Sequence, residues 1–345
     1  MASDGIEMLR ATVERLFAEH VDKERIIRAE SGVWLEHLWR IVEDNGLTQP
    51  HVLAEDGCAW PEAFALARAS GRHCVPLPLV ETILASWLLA QAGLDVPAGP
   101  LTFAAGADGG RLTRVPWARH AGHLVVVGDG SGRAAELSLI ATGGLRLEPG
   151  TNLALEPRDT VEIGSAAVVA SGTVDLAGVS LDAYAAMLRA GQMAGALDAL
   201  LDMSVRYAGE RVQFGRPLAK FQAIQQELAK LAGAVAEAGV AAEAAFAAAQ
   251  RAGRDGRDPT FEIAAAKVVT GEAAELAPRI AHQVHGAIGF TYEHQLHFAS
   301  RRLWSWRSEY GSAAHWADEL GRQAYAVGAD GLWPMVTGRQ QRREV

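Results

Sequence analysis

The sequence predicts an α+β multidomain protein: an N-terminal helical domain, a small middle β-domain and a C-terminal antiparallel helical bundle. Apolar residues recur at helical spacing at both ends of the chain, whereas short β-type runs separated by turn residues occupy the middle. A chain of 345 residues is also too long for one ordinary core. We place the three domains at residues 1–99, 100–178 and 179–345.

The first domain is predicted to be entirely helical. Ile6, Leu9, Val13 and Leu16 are spaced to form one apolar helix face, and the same spacing returns at Trp34. Glycine and proline residues interrupt the pattern and mark the connections. The predicted helices lie within residues 5–45, 60–69 and 79–92.

The middle of the chain carries short runs rich in β-branched and aliphatic residues. Strands are predicted near residues 124–127, 136–140 and 166–170. Several short strands at regular spacing are typical of a small sandwich or barrel. We therefore expect a compact β-domain between the helical parts.

The last part of the chain returns to helical periodicity with short links, which is typical of an antiparallel bundle. A polar, basic tail from residue 333 is expected to lie outside it. The predicted helices span residues 181–207, 221–252, 263–284, 296–306 and 313–326.

The composition excludes some classes of function. The formal net charge of −9 argues against a nucleic-acid-binding protein, which usually needs a basic face. Cys58 and Cys74 are the two cysteines, and without a CxxC motif they suit a reducing compartment. The N-terminus lacks the basic and apolar pattern of a signal peptide, and no run of 18 apolar residues predicts a membrane span. We expect a cytoplasmic protein that binds neither nucleic acid nor membrane.

Residues 206–222 form the most distinctive segment. Arg206, Arg211 and Arg216 crowd a Gly/Pro turn between two predicted helices. Backbone N–H groups at the start of a helix and guanidinium groups both bind phosphate oxygens. A solvated basic helix end beside Phe214 is the alternative, and the spacing leaves both interpretations open.

A second distinctive segment begins at His282, where a predicted helix ends at Gly286. Gln283, one turn before that end, can donate and accept hydrogen bonds at once. Histidine spacing on a helix raises the hypothesis of a metal site, but no HExxH motif or cysteine accompanies it. We expect capping and core histidines and no metal at this cluster of His282, His285, His294 and His297.

The third segment contains Glu309 beside a predicted helix break. Among nearby tryptophans, its carboxylate would have a raised pKa and act as a base. A surface carboxylate paired with Arg307 or Arg302 is an equally good interpretation. No nucleophile elbow, Walker loop or cysteine-nucleophile signature stands out elsewhere.

Two of these segments carry the resemblance to a known family. The pattern RxxFGxxLxxFQ starts at Arg211, and HQxxGxxGFTxEH starts at His282. In this order and spacing they resemble the acyl-CoA dehydrogenase family. The resemblance covers the C-terminal third closely, the N-terminal part in its helical character and the β part in outline.

The resemblance implies FAD between the β-domain and the C-terminal helices, with a neighbouring subunit covering the ADP half. It places Arg211 on the pyrophosphate and Ser312 near the flavin. The residues that it places around the rest of the ADP moiety are Phe214, Gln222, Gln283 and Gly286. It also implies an acyl-CoA substrate that is desaturated between its α- and β-carbons, with an electron-transferring flavoprotein as acceptor. In that reaction a carboxylate takes the α-proton and the flavin accepts hydride.

This sequence departs from the family where the chemistry is expected. Tyr310 occupies the position at which many members carry the base, directly after Glu309, and the alternative base position is Ala185. Ala186 replaces an arginine that commonly meets CoA. The Thr-Glu-rich segment that usually touches the flavin is not recognisable in residues 101–120.

These departures predict one subunit of a heteromeric acyl-CoA dehydrogenase, complemented by an unlike family chain. Such enzymes often act on bulky steroid- or ring-derived CoA esters. The alternatives are a homomeric desaturase that uses Glu309 as base, a redox-silent structural partner, or a flavin monooxygenase on the same fold.

Overall fold

The computed structural model confirms the order helix, strand, helix. A cluster of buried apolar side chains runs from the N-terminal helices through one β-sheet into the C-terminal helices. Cys58 and the first two residues of the strand predicted at 166–170 lie outside the described residues. The structure describes residues 2–52, 59–106, 110–128, 134–164, 168–176 and 178–337.

The N-terminal part is helical as predicted. Asp22 caps α2, because its side chain accepts a hydrogen bond of 2.8 Å from the backbone N–H of Arg25. Helix α5 is apolar on nearly all sides and is almost entirely buried. The helices are α1 Ala2–His20, α2 Lys23–Glu30, α3 Glu36–Asp44, α4 Trp60–Arg72 and α5 Leu79–Gln91.

The β part consists of two small sheets with strand orders β1-β3-β4-β7 and β2-β6-β5. Leu124 and Val126 of β3 pack against the second sheet, whereas Val125 and Val127 face the helices. This alternation builds a two-sided sandwich layer. The strands are β1 Leu101–Ala105, β2 Arg111–Pro116, β3 His123–Val127, β4 Ala134–Ala141, β5 Arg146–Glu148, β6 Arg158–Glu162 and β7 Val168–Asp175.

The C-terminal part contains the predicted bundle, with an added two-stranded hairpin, β8 Val212–Gln213 and β9 Arg216–Pro217. Glycine allows close helix packing here, because a Cβ at Gly195 of α6 would collide with the backbone carbonyl of Arg68 in α4. The helices are α6 Leu181–Glu210, α7 Gln222–Asp255, α8 Thr260–His285, α9 Leu296–Trp306 and α10 Ala313–Thr337.

Helix α10 extends further than predicted. It continues to Thr337 past Gly328, whose φ of 71° is not helical. The kink at Gly328 interrupts the apolar periodicity, and the pattern therefore predicted an end at residue 326. The predicted loose tail thus begins within a helix, and its last residues, 338–345, lie outside the described part of the chain.

Helix α7 is long and apolar enough to cross a membrane by length and composition, with a mean hydropathy of 1.4 over its most apolar window. Most of this hydropathy comes from alanine. Its face with Leu231, Val235 and Phe246 is buried, and α7 contacts α6 and α8. We therefore interpret α7 as a bundle helix.

The predicted domain boundaries fall in two connections. Helix α5 ends at Gln91 and β1 starts at Leu101, while β7 ends at Asp175 and α6 starts at Leu181. The apolar cluster crosses both connections, so the three parts share one core. The division into three domains stays a prediction.

Candidate functional site

Glu309 lies in the connection between α9 and α10 and is buried, with 8% of its surface exposed. Its Oε1 accepts a hydrogen bond of 2.8 Å from Arg158 Nε, and its Oε2 accepts one of 2.7 Å from Arg189 Nε. Arg158 Nη2 donates a second bond of 3.0 Å to Oε2. Burial alone raises the pKa of Glu309, but these two guanidinium charges outweigh it and bring the pKa to about 2.

This environment does not support the prediction that Glu309 is a base. Both oxygens already accept hydrogen bonds from guanidinium groups, and a carboxylate with a pKa of about 2 binds a proton weakly. The alternative of a surface carboxylate paired with Arg307 or Arg302 does not describe it either, because Glu309 is buried and pairs with Arg158 and Arg189. Neither pairing had a signal in the sequence, since each partner is more than a hundred positions away.

The pairs around Glu309 extend into a larger network. Arg189 also binds Glu81 of α5 at 2.6 Å, and Arg158 binds Glu156 at 3.1 Å. The network continues to α9 and α2, so it ties all three parts of the chain together. We call it the buried charge cluster, and it consists of Glu30, Glu81, Glu156, Arg158, Arg189, Arg302 and Glu309.

Lys267 of α8 lies beneath this cluster and is fully buried. Its Nζ donates hydrogen bonds to the backbone carbonyls of Glu309 at 2.9 Å and Trp306 at 3.3 Å. It thereby provides a hydrogen-bond donor for backbone carbonyl groups that the end of α9 leaves without a partner inside the helix. Burial lowers the pKa of Lys267 to about 7.

Tyr310 points from the same connection towards the β part. Its φ of 54° is unusual for a tyrosine, and its ring stacks on Phe103 of β1 with 5.8 Å between centroids. Phe103 and Tyr310 line a cavity of about 370 Å³ between β1, β2 and the start of α6, which we call the β1–β2 cavity. Ser312 caps α10 through a bond of 3.3 Å from the His315 backbone N–H to its Oγ, and it does not line this cavity.

Arg211 follows the last residue of α6 and leads into the β8–β9 hairpin. The hairpin turns at Phe214 and Gly215, whose φ values of 51° and 79° are both positive, as a tight two-residue turn requires. The Arg211 side chain is exposed and has no hydrogen-bond or ion-pair partner among the described residues. Phe214 is 91% exposed, and Gln222 is exposed at the first position of α7. We call residues 211–222 the Arg211 hairpin.

Gln283 and Gly286 line a second cavity, of about 500 Å³, at the end of α8. Gly286 has a φ of 62° and a ψ of −143°, a conformation that favours glycine, and nothing lies within 4 Å of a Cβ built there. One wall is aromatic: the His282 ring stacks on Phe290 at 4.3 Å and on Trp304 at 5.9 Å. We call this the Gln283 cavity.

The four histidines make contacts typical of core and capping groups. His282 Nε2 lies 2.9 Å from Ser300 Oγ, and His285 Nδ1 lies 2.7 Å from the Ala281 carbonyl oxygen. His294 Nδ1 accepts a bond of 3.1 Å from the Leu296 backbone N–H. Within the described residues, no three metal-ligand side chains are arranged to hold an ion.

The site residues predicted from sequence therefore form two groups. Tyr207, in the last turns of α6, stacks on His285 at 4.5 Å, so the Arg211 hairpin and the Gln283 cavity lie at the same end of the bundle. Neither Arg211 nor Phe214 lines that cavity within one chain. Glu309 and Ser312 form the other group: both lie in the connection between α9 and α10, whose Tyr310 lines the β1–β2 cavity.

The first group has the chemistry that an ADP moiety requires. It offers a guanidinium group for phosphate, the amide of Gln283 for polar groups and a flat aromatic wall for a purine. The open backbone at Gly286 permits close approach of a ligand. The Nδ1 atom of His282 is buried without a partner and remains available for a hydrogen bond.

Asp182 and Arg158 are the site residues that the sequence reasoning missed. Asp182 lines the β1–β2 cavity, and its signal was an acidic residue in the first turn of α6, two positions after the capping residue Ser180. Arg158 had no local signal, because its partner Glu309 meets it only through the tertiary fold.

Comparison with known proteins agrees with this architecture. Residues 182–316 match the family described as acyl-CoA dehydrogenase, C-terminal domain. The chain is 31% identical over 305 residues to acyl-CoA dehydrogenase IpdE2 of Mycobacterium tuberculosis, covering 86% of this chain and 90% of the relative.

Solved structures share the whole fold. A chain of the ChsE4-ChsE5 complex from Mycobacterium tuberculosis superposes with a TM-score of 0.80 at 23% identity, covering 94% of this chain and 98% of that one. A chain of the Tcur3481-Tcur3483 steroid ACAD G363A variant superposes with a TM-score of 0.79 at 23% identity, covering 93% and 98%. The sequence relative covers nearly the whole chain, and the protein therefore belongs to the acyl-CoA dehydrogenase family of oxidoreductases.

Proposed function

We propose that this chain is a subunit of a FAD-dependent acyl-CoA dehydrogenase, which desaturates an acyl-CoA thioester between its α- and β-carbons. We further propose that it works with an unlike chain of the same family. Membership of the family supports the reaction class. The observation that carries the cofactor assignment is the pairing of the Arg211 hairpin with the Gln283 cavity at one end of the bundle.

Each residue of this end has a task in holding FAD. Arg211 binds the pyrophosphate, since its guanidinium is free among the described residues. Gln283 and the backbone at Gly286 bind polar groups of the ADP moiety, with Phe214 and Gln222 beside it. When bound, FAD supplies the hydride acceptor of the reaction.

The exposed aromatic rings at this end of the bundle support the proposal of a partner chain. Phe214 is 91% exposed, Phe290 69% and Tyr292 63%, although large apolar rings are usually covered in the working assembly. A cofactor bound there, together with a neighbouring chain, covers them. The unlike identity of that chain is supported by the ChsE4-ChsE5 neighbour, whose structure is a complex of two differently named chains.

The substrate proposal is a bulky CoA ester derived from a steroid or another ring system. It is supported by the Tcur3481-Tcur3483 neighbour, which is named a steroid ACAD. We further propose an electron-transferring flavoprotein as the acceptor and the cytoplasm as the location.

The test is expression of the chain alone and together with a family chain encoded next to it. We expect the chain alone to hold little flavin, and the co-expressed pair to form a yellow complex whose flavin absorbance is bleached by an acyl-CoA thioester. A homo-oligomer that binds one FAD per chain and oxidises acyl-CoA alone would contradict the heteromeric proposal. Absence of flavin from both preparations would contradict the cofactor assignment.

A further inference from the structure

The β1–β2 cavity contains a carboxylate that the sequence comparison with the family did not assign. Asp182 lies in the first turn of α6 and lines the cavity together with Phe103, Arg114 and Tyr310. It lies one helical turn before Ala185, the position at which some family members carry a base. Position i−3 on a helix shares a face with position i, so Asp182 lies on the helix face that includes this position.

The surroundings of Asp182 are the reverse of those of Glu309. Asp182 is exposed at the surface, but partial desolvation by the surrounding chain raises the pKa of its carboxyl, and the charge of His315 counteracts this. No hydrogen bond or ion pair to its carboxylate occurs among the described residues. Two carboxylates whose environments move their pKa values apart have different roles: the strongly paired one stays ionised, and the unpaired one exchanges protons.

The other polar groups around the cavity suit an anionic intermediate. Arg114 lines the cavity without a described partner, and its φ of 57° is strained for an arginine. Arg111, also in the lining, is paired with Glu148 at 3.1 Å. Burial raises the pKa of the Tyr310 phenol, which therefore stays protonated and can donate a hydrogen bond. Among the residues that the structure describes, Arg111, Arg114 and Tyr310 are the charged or titratable groups that line the cavity with Asp182, and His315 of α10 also acts on its carboxylate.

We propose that Asp182 removes the proton from the carbon next to the thioester carbonyl of an acyl-CoA bound in the β1–β2 cavity. In this step the Cα–H bond breaks, the proton passes to a carboxylate oxygen of Asp182, and the electron pair remains on the thioester as its enolate. Arg114 and the Tyr310 hydroxyl face this enolate. The assignment rests on the function proposed above, because it takes acyl-CoA as the ligand.

The test measures this proton transfer apart from oxidation. The complex with its partner chain is prepared as wild type, Asp182→Asn, Asp182→Glu and Asp44→Asn. Asp44 is an exposed helical aspartate that matches the substitution but lies away from the cavity. The flavin is first reduced chemically, and washout of deuterium from the α-carbon is followed by mass spectrometry. The probe is the α-deuterated form of the acyl-CoA that bleaches the oxidised wild-type complex fastest.

We expect Asp182→Asn to slow the washout by about 100-fold or more, the usual size of a general-base contribution. Flavin content and acyl-CoA binding should stay at wild-type values, Asp182→Glu should retain part of the exchange, and Asp44→Asn should match wild type. The wild-type exchange rate should rise with pH through an apparent pKa above that of an ordinary aspartate. In Asp182→Asn this rise of the exchange rate with pH should be absent.

Two failures are distinguishable. If the wild-type complex is bleached by an acyl-CoA and Asp182→Asn exchanges deuterium at the wild-type rate, the assignment of Asp182 is overturned and the proposed function stands. If no acyl-CoA bleaches the wild-type complex, the proposed function fails and the assignment of Asp182 fails with it.

Discussion

The buried charge cluster and the Arg211 hairpin are both built on arginines, but they use them in opposite ways. In the cluster, the guanidinium groups of Arg158 and Arg189 donate hydrogen bonds to the carboxylate of Glu309. Glu309 has 8% of its surface exposed. In the hairpin, Arg211 is exposed and has no described partner. Arginines paired inside the fold hold its parts together, whereas an unpaired arginine at the surface is available to bind a ligand.

The energetics follow from this difference. A buried charge has lost its hydration, so removal of its partner leaves a large uncompensated cost. An exposed charge keeps its hydration and contributes little to folding. Substitutions in the cluster should therefore change stability, and substitutions in the hairpin should change binding.

The largest effect is expected for Glu309→Gln. The substitution leaves Arg158 and Arg189 buried without their shared counter-charge and should lower the free energy of unfolding by about 3–5 kcal/mol. Thermal and urea unfolding measure it. The matched control is Glu148→Gln, which breaks an exposed pair with Arg111 and should cost about 0–1 kcal/mol. Unchanged stability together with lost acyl-CoA oxidation would restore the prediction that Glu309 is the base.

The next effect concerns acid stability. The pKa of Glu309 is lowered from 4.5 to about 2 in the folded protein, so its contribution is fully present above pH 4.5 and is lost as the pH falls towards 2. The shift corresponds to stabilisation on the order of 3 kcal/mol. Urea unfolding between pH 5 and pH 2.5 should show a steeper loss in wild type than in Glu309→Gln. Parallel pH profiles would argue against the ion pairs around Glu309.

A smaller effect is expected for Arg211→Ala, and on binding rather than stability. Loss of a charge-assisted hydrogen bond to pyrophosphate costs about 1.5–3 kcal/mol, which weakens FAD binding roughly 10–100-fold. Flavin retention of the purified complex during dialysis measures it. Arg40→Ala, which removes an exposed arginine paired with Glu36, is the control and should retain flavin. Full retention in Arg211→Ala would contradict the pyrophosphate assignment.

The smallest effect on stability is expected for Phe214→Asn. The ring is 91% exposed, and asparagine tolerates a positive φ such as the 51° found here, so stability should change by less than about 0.5 kcal/mol. Association with the partner chain, measured by sedimentation, and flavin retention should both decrease. A clear loss of stability with normal assembly would show that Phe214 supports the hairpin itself.

The helices were the predictable part of the fold, because their apolar spacing is local. The periodicity at Leu231, Val235 and Phe246 identified α7, and its buried face is as expected. Strands β1, β2, β5 and β6 were not predicted, since strands this short give little local signal and are stabilised by pairing with other segments of the chain. The C-terminal end of α10 was predicted too early, because the kink at Gly328 interrupts the apolar spacing on which the prediction depends.

The candidate site shows the same division. The order of motifs at Arg211 and His282 identified the family from sequence, since each motif is a contiguous segment. The chemistry of Glu309 was not predictable, because its pKa depends on arginines at positions 158 and 189 that meet it only in the folded chain. The sequence offered two roles for this carboxylate, and the structure supports a third.

The sequence by itself determined most of the helical segments, the order of the three parts and the family, because these depend on local spacing and contiguous motifs. The tertiary structure decided which charges are neutralised inside and which remain available. Whether a charge is neutralised depends on distances between residues far apart in the chain, such as the 2.7 Å from Arg189 Nε to Glu309 Oε2. Electrostatic interactions depend on separation and burial, and neither can be read from the order of residues.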